Sequence, residues 1–226
     1  MRLRVEYCVG PELKFLANLD MMHLMERALR RAEIPYRLSE GFNPHIRLSM
    51  GTVLPVGIWG KREYFDLDMA GMDLEEFMYN MNAVLPPAMN ITNCRRIEDH
   101  APALMKIINA ADYSFILKKG HDLQALVNNI LSRDSLPVQS RGKNKNLVKD
   151  LRPGLYRLEI TGEDDYDIMT ARVSINEPLN IRYDELQALF IDFELNVQDI
   201  ADICRQGNYI KEGQDFYSPL ERCDEW

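Results

Sequence analysis

Arg2–Val9 alternates strictly, with Leu3, Val5, Tyr7 and Val9 on one face and Arg2, Arg4, Glu6 and Cys8 on the other. A period of two predicts a half-buried strand. From Met21 the spacing changes, and Met21, Leu24, Met25, Ala28 and Leu29 recur three and four residues apart. That period predicts a helix through Ala32, capped by Asn18 or Asp20 and ended by Pro35. Strands follow over Ile46–Met50, with Thr52–Val56 as an extension or hairpin, and over Glu63–Met69. A helix from Met72 to Val84 has Asp73 as its cap and Pro86-Pro87 as its stop, and Asn90–Ile97 reads as a further strand. The order β-α-β-β-α-β is the ferredoxin-like arrangement.

The same order of elements is expected again. Ala111–Leu117 reads as a strand, and Asp122–Leu131 as a helix with Leu123, Leu126, Val127 and Ile130 on its core face. Leu147–Ile160 is expected as a strand broken by Pro153-Gly154, and Asp167–Ile175 as another strand. Tyr183–Phe193 is expected as a helix capped near Asn180, and Asp199–Tyr209 closes the sheet. The fold class is therefore α+β, with two ferredoxin-like units in tandem over 1–100 and 110–212, a joint at Glu98–Asn109, and a frayed tail over 213–226. No residue-level repeat accompanies the repeated order, and one mixed α+β domain with a larger sheet is the alternative.

Composition narrows the class. Apolar residues at 46% and charged residues at 27% are ordinary globular values. No apolar run approaches the ~18 residues that span a bilayer, and Arg2, Arg4 and Glu6 interrupt any leader-like stretch. A soluble, cytoplasmic protein with no membrane partner is expected. Cys8, Cys94, Cys204 and Cys223 form no CxxC pair, so free thiols are expected rather than a zinc knuckle or an iron–sulfur cluster. No HxH or HExxH is present, and no metal is expected.

A net charge of −8 excludes a generally nucleic-acid-coating protein, but the charge is uneven. Between Arg27 and Arg47, five arginines stand against Glu33 and Glu40; between Arg141 and Arg157, six bases stand against Asp150. The first basic island runs into SEGFNPHIRLS, Ser39 to Ser49. Gly41 permits a positive φ, and Asn43-Pro44 biases the chain to turn. On a following strand, His45 and Arg47 would share a side and could donate to phosphate or carboxylate oxygens, with Ser39 and Ser49 adding hydroxyls. The plainer alternative is a turn in which Asn43 and His45 satisfy nearby backbone and Phe42 packs on the helix. Arg27, Arg30 and Arg31 cluster at the end of the preceding helix, either as a phosphate-holding group or as a solvated face opposing the helix dipole. In the second island Arg141–Asn146 reads as a flexible loop. Lys149, Asp150 and Arg152 precede the Pro-Gly turn, where Asp150 could orient Arg152, act as a general base, or form a surface ion pair. No Walker sequence, GxGxxG or Gly-x-Ser-x-Gly is present.

The run FLANLDMMHLMERALRRAEIPYRLSEGFNPHIRLSMGTVLPVG, Phe15 to Gly57, resembles the signature of a bacterial family known as radical-SAM-linked proteins, and KNLVKDLRPGLYRLEI resembles its second characteristic segment. The resemblance runs from the first strand to about Ile160. The family's motif positions correspond here to Leu19, Asp20, Arg27, Arg30, Arg31, Ser39, Gly41 to His45, Ser49, Pro55 and Gly57. One departure is Ala17-Asn18, where the family usually has Ser-His. The CxxxCxxC of a radical SAM enzyme is absent from this sequence. The resemblance therefore implies SAM and an iron–sulfur cluster only in a partner radical SAM protein.

Three functions follow as expectations. The first is a non-catalytic accessory module that binds structured RNA, or another phosphate-rich substrate, through Arg27, Arg31, His45, Arg47, Lys149 and Arg152, with Phe42 or Tyr36 stacking on a base. The second is a stand-alone RNA-processing or transferase enzyme using His45 with Asp20 or Asp150 as acid and base. The third is a scaffold for a radical SAM partner, docking through an apolar patch around Phe42, Ile58 and Trp59.

Overall fold

The computed structural model describes residues 1–142, 146–163 and 165–223. Its chain divides into two units, Met1–Ile108 together with the residues from Gly207 onward, and Asn109–Gln206. Both are α+β.

The first unit runs β1 (Arg2–Val9), α1 (Asn18–Arg31), β2 (Leu48–Met50), β3 (Trp59–Asp68), α2 (Leu74–Val84), β4 (Met89–Ile97) and a single turn, α3 (Leu104–Ile107). β1 lies between β4 and β3, antiparallel to both, and β2 pairs with β3. The alternation in β1 is obeyed: Leu3, Val5, Tyr7 and Val9 are buried against Met21, Met25, Ala28 and Leu29 of α1 and Phe77 and Met81 of α2. The polar face is buried at one point too, because Arg4 is wholly enclosed and lies opposite Asp66 of β3.

The second unit runs β5 (Ala110–Lys118), α4 (Leu123–Leu131), β6 (Pro137–Gln139), β7 (Val148–Asp150), β8 (Leu155–Gly162), β9 (Tyr166–Ser174), α5 (Tyr183–Asp192) and β10 (Ile200–Glu212). Its strand order is β10-β5-β9-β8, and β6 and β7 form a separate hairpin. The residues of β10 from Gly207 on belong to the first unit, where β11 (Asp215–Tyr217) pairs with them.

Several local expectations are corrected. α1 begins at Asn18 with Ala17 as its cap residue, and neither Asn18 nor Asp20 supplies a capping side chain. It ends before Pro35: Ile34 N–H returns to Leu29 O at 3.1 Å and Glu33 takes a φ of 54°, a Schellman-type stop without the usual glycine. Thr52–Val56 is loop rather than strand. α5 is capped at Arg182 rather than near Asn180, with Glu185 closing a capping box. The segment after residue 212 is not frayed through residue 223, since it forms β11 and buries Leu220 and Cys223. Asp73 caps α2, as expected, and Asp122, expected as the first helical residue, is the cap of α4.

Gly154 ends the turn between β7 and β8 in close contact with its surroundings. A Cβ there would stand 2.8 Å from Leu179 Cδ2 and 2.9 Å from Ile181 Cδ1. Gly154→Ala is therefore expected to lower stability by about 1–3 kcal/mol through overpacking. Chemical denaturation would check this; an unchanged midpoint would mean that Leu179 and Ile181 yield freely.

Candidate functional site: an arginine–aspartate cleft beside an exposed loop

A cleft of about 470 Å³ opens on the first unit, between the start of β1, the end of β3 and β2. Its cations are Arg2, Arg37 and Arg47, and its anions are Asp66, Asp68 and Asp99. Ser49 adds a hydroxyl on β2, in register with Asp66. Backbone bonds set the positions of Arg37 and Arg47. Arg37 N–H donates to Asp68 O at 2.8 Å, Arg47 N–H to Arg37 O at 2.9 Å, and Asp68 N–H to Arg47 O at 3.0 Å. Both residues are thereby stitched to the last residue of β3.

Most of the charge in the cleft is already used. Arg47 Nε lies 2.9 Å from Asp68 Oδ2. Arg2 bonds Asp66 Oδ2 at 2.8 Å and Ala101 O at 2.7 Å. Behind Asp66, Arg4 donates from Nε to Oδ1 at 2.9 Å and from Nη2 to Oδ2 at 3.1 Å, and also to Pro102 O at 3.0 Å. Asp66 thus carries two arginines, and Arg4 Nη1 is buried without a hydrogen-bond partner.

The loop at the cleft's edge is ordered by its own backbone. Leu38 and Ile46 form an antiparallel bridge. Ser39 N–H donates to His45 O at 2.7 Å, and His45 N–H donates to Ser39 Oγ at 3.0 Å. Gly41 takes a φ of 122°, which side-chain-bearing residues rarely adopt. Beyond that closure Gly41 to His45 are all exposed, and Phe42, at 106% relative exposure, touches nothing that would hide its ring. The reading in which Phe42 packs on the helix is overturned. His45 and Arg47 are not on a strand, since β2 starts only at Leu48. Ser39 serves loop closure, and His45 is exposed with no side-chain partner among the described residues.

The other expected site residues divide. Arg31 donates to Val84 O at 2.5 Å, a helix-capping role at the end of α2. Arg30 pairs with Glu26 at 3.8 Å and lies 6.0 Å from the Tyr36 ring, so Tyr36 already carries a cation. Arg27 is exposed on the same helix with no partner among the described residues. Neither it, Arg30 nor Arg31 lines the cleft. Asp20 stands in the first turn of α1, whereas His45 belongs to the loop anchored at Asp68 beyond that helix's last turn, and no hydrogen bond or ion pair joins them. Ile58 is fully buried and Trp59 half-buried under Lys61, so the apolar patch expected around them with Phe42 is reduced to Phe42.

In the second unit Lys149 is committed to structure: Nζ lies 2.8 Å from Glu185 Oε1 and 2.8 Å from Asn180 O. Asp150 Oδ1 accepts from Leu136 N–H at 2.7 Å and from Arg152 N–H at 3.0 Å. These bonds, that of Leu136 above all, hold its carboxyl below the ordinary value of 3.8. Asp150 is a staple between β7 and the chain entering β6, and a poor base at neutral pH. A carboxyl lowered in the folded state stabilises above its unfolded pKa, and that stabilisation is lost as pH falls through the folded value. An NMR titration should place the Asp150 midpoint below 3.8, and Asp150→Asn should shrink the stability lost below about pH 4. A midpoint at or above the ordinary value would refute the staple. Arg152 reaches Leu155 O at 3.4 Å. Lys143 and Lys145 of the expected flexible loop lie outside the described residues.

Among the described residues no group of three His, Cys, Asp or Glu side chains could hold a metal ion, and no helix is long and apolar enough to cross a membrane. Burial pushes the Cys94 thiol up to about 11, with Asp73 adding to the shift, so it is no thiolate at neutral pH. Arg2, Arg37, Asp66, Asp68 and Asp99 were not singled out as site residues in the sequence. The available signal was the pairing of polar positions on β1 with the acids of β3, which requires the strand register to be known.

These features define an α+β protein with a paired arginine–aspartate cleft and an exposed aromatic loop. The chain belongs to the family described as an uncharacterized protein conserved in bacteria, DUF2344, whose model matches residues 2–183. No curated protein matches it. Among solved structures, one in a Cbf5-Nop10-Gar1 complex is similar at a TM-score of 0.52 and 9% identity, over 98% of this chain and 54% of that one. A chain of an archaeal box H/ACA sRNP Nop10-Cbf5 complex gives a TM-score of 0.44 at 11% identity, over 98% of this chain and 53% of that one. An unknown protein from Galdieria sulphuraria gives 0.26 at 12% identity, over 91% and 96%. The chain spans about half the length of the chains it matches in the first two, and only the first likeness bears on fold.

Proposed function

We propose that this protein is a non-catalytic accessory module that binds RNA, or another phosphate-rich substrate, for a partner radical SAM enzyme. The observation that carries the reading is Phe42, a fully exposed aromatic on a loop whose base is closed by two hydrogen bonds between Ser39 and His45, with Arg37 and Arg47 at its foot. A large apolar ring held in water has no folding role, whereas base–aromatic stacking tolerates any sequence. Kinship with radical-SAM-linked proteins rests on the Gly41–His45 core and the Leu54–Gly57 segment that follows. The SAM and cluster chemistry would belong to the partner. Each unit reads as a ferredoxin-like fold, supported by the β-α-β-β-α-β order of its sheet elements, with the β6–β7 hairpin inserted in the second, and by strand orders β4-β1-β3-β2 and β10-β5-β9-β8. A catalytic reading has less support, since Asp150 is a backbone staple and Asp20 makes no hydrogen bond or ion pair with His45.

Fluorescence anisotropy with a labelled cellular RNA pool, at low and moderate salt, tests the reading. Binding should weaken steeply with salt. Phe42→Ala should weaken it by about 1–3 kcal/mol, the range for one stacked base. Salt-insensitive binding, or an unaffected variant, would sink it.

A further inference from the structure

We infer that the cleft reads a single terminal phosphate of a nucleotide chain, with Arg37 as the phosphate ligand and Phe42 stacking on the adjoining base. The inference rests on the RNA-binding reading and specifies its ligand.

Arg37 differs from its neighbours in the cleft. Arg2 and Arg47 are each bound to a carboxylate at 2.8 and 2.9 Å. The Arg37 side chain is exposed and has no partner among the described residues, while its backbone N–H and C=O are both bonded, to Asp68 and Arg47. A fixed backbone carrying an unused guanidinium is pre-organised for a bidentate anion.

The rest of the lining limits which anion. Asp66, Asp68 and Asp99 balance Arg2, Arg37 and Arg47 in number. An extended backbone running through the cleft would set successive phosphates against those carboxylates. One dianion at Arg37 avoids this, and a terminal monophosphate carries nearly twice the charge of an internal diester. The volume of about 470 Å³ is that of a small-ligand site. Ser49 offers the hydroxyl that a terminal phosphate oxygen can accept from. Phe42 stands five residues from Arg37 in sequence, exposed on the loop that the Leu38–Ile46 bridge closes, and does not line the cleft, so it is the ring offered to the base of that nucleotide or its neighbour.

The test compares one short oligoribonucleotide in three forms, with a 5′-phosphate, with a 3′-phosphate, and with hydroxyls at both ends, alongside AMP. Binding is measured to the full chain and to Arg37→Ala, with thermal melts confirming that the variant folds. One phosphate-ended form should bind about ten- to a hundredfold tighter than the hydroxyl-ended form, the range for a charge-assisted hydrogen-bond pair. Arg37→Ala should erase most of that difference, weakening the phosphate-ended form by about ten- to a hundredfold and the hydroxyl-ended form far less. AMP binding that matches the phosphate-ended oligomer would assign the site to a free nucleotide and overturn the chain-end assignment. Equal binding of all oligomer forms, weakened alike in the variant, would overturn the inference while the RNA-binding reading stands. Absence of binding to every probe would overturn both.

Discussion

Replacing Asp66 by alanine is expected to destabilise the first unit by about 3–5 kcal/mol, the cost of leaving a buried charge without its partner. Arg4 is wholly enclosed and Asp66 is 2% exposed, so the bonds between them are made out of water. Arg4 would lose two of its three hydrogen bonds, and Arg2 its closest carboxylate. Arg4→Met alone should cost less, because Asp66 retains Arg2, and the double change Arg4→Met/Asp66→Leu should recover most of the loss. Denaturant titration of the parent and the three variants would check that order. If Asp66→Ala moves the transition by less than about 1 kcal/mol, the range of exposed pairs, the pair is not buried as described. The same substitution should loosen the cleft, because Asp66 forms part of its wall.

Glu185→Ala should have a comparable effect on the second unit. The carboxylate is fully buried at the third position of α5. Its Oε1 accepts from Arg141 N–H at 2.9 Å and its Oε2 from Arg182 N–H at 3.1 Å, while Lys149 Nζ lies within 3.0 Å of both oxygens. Truncation would strand one backbone donor near the β6–β7 hairpin, undo the capping box and leave Lys149 uncompensated. A loss of about 3 kcal/mol is expected, at the low end for a buried pair because the Lys149 side chain is 17% exposed. Lys149→Met should lower stability and leave RNA affinity unchanged. A Lys149→Met variant that keeps its full stability but binds RNA more weakly would restore Lys149 as a phosphate ligand, and the assignment to Glu185 would then fail.

Patterns carried by neighbouring residues were legible in the sequence. The alternation of β1 and the apolar faces of α1 and α4 gave their buried sides correctly, and the cap Asp73 stood one residue before its helix. Periodicity and capping are local physics, decided by backbone geometry over a few residues. Local reading failed in detail at two helix ends. The α1 stop is made by Glu33 in a left-handed conformation, with the buried Ile34 donating its N–H to Leu29 O, and not by Pro35. The cap of α5 moved two residues because Glu185 also serves Lys149 and Arg141.

The candidate site shows the same division. A glycine-dependent loop with an Asn-Pro turn, two basic islands on an acidic chain and an α+β order of elements were readable residue by residue. Which charges remain available was settled by the contacts that folding makes. Arg31 is spent on the last carbonyl of α2, Lys149 on Glu185, and Arg47 on Asp68, while Arg37 is left with an unused guanidinium and Phe42 without cover. The physical reason is that a charge's role depends on which opposite charge folding brings within about 4 Å, and on how much water it excludes there. Strand register sets those distances, and register joins residues more than sixty positions apart, as between Arg4 and Asp66.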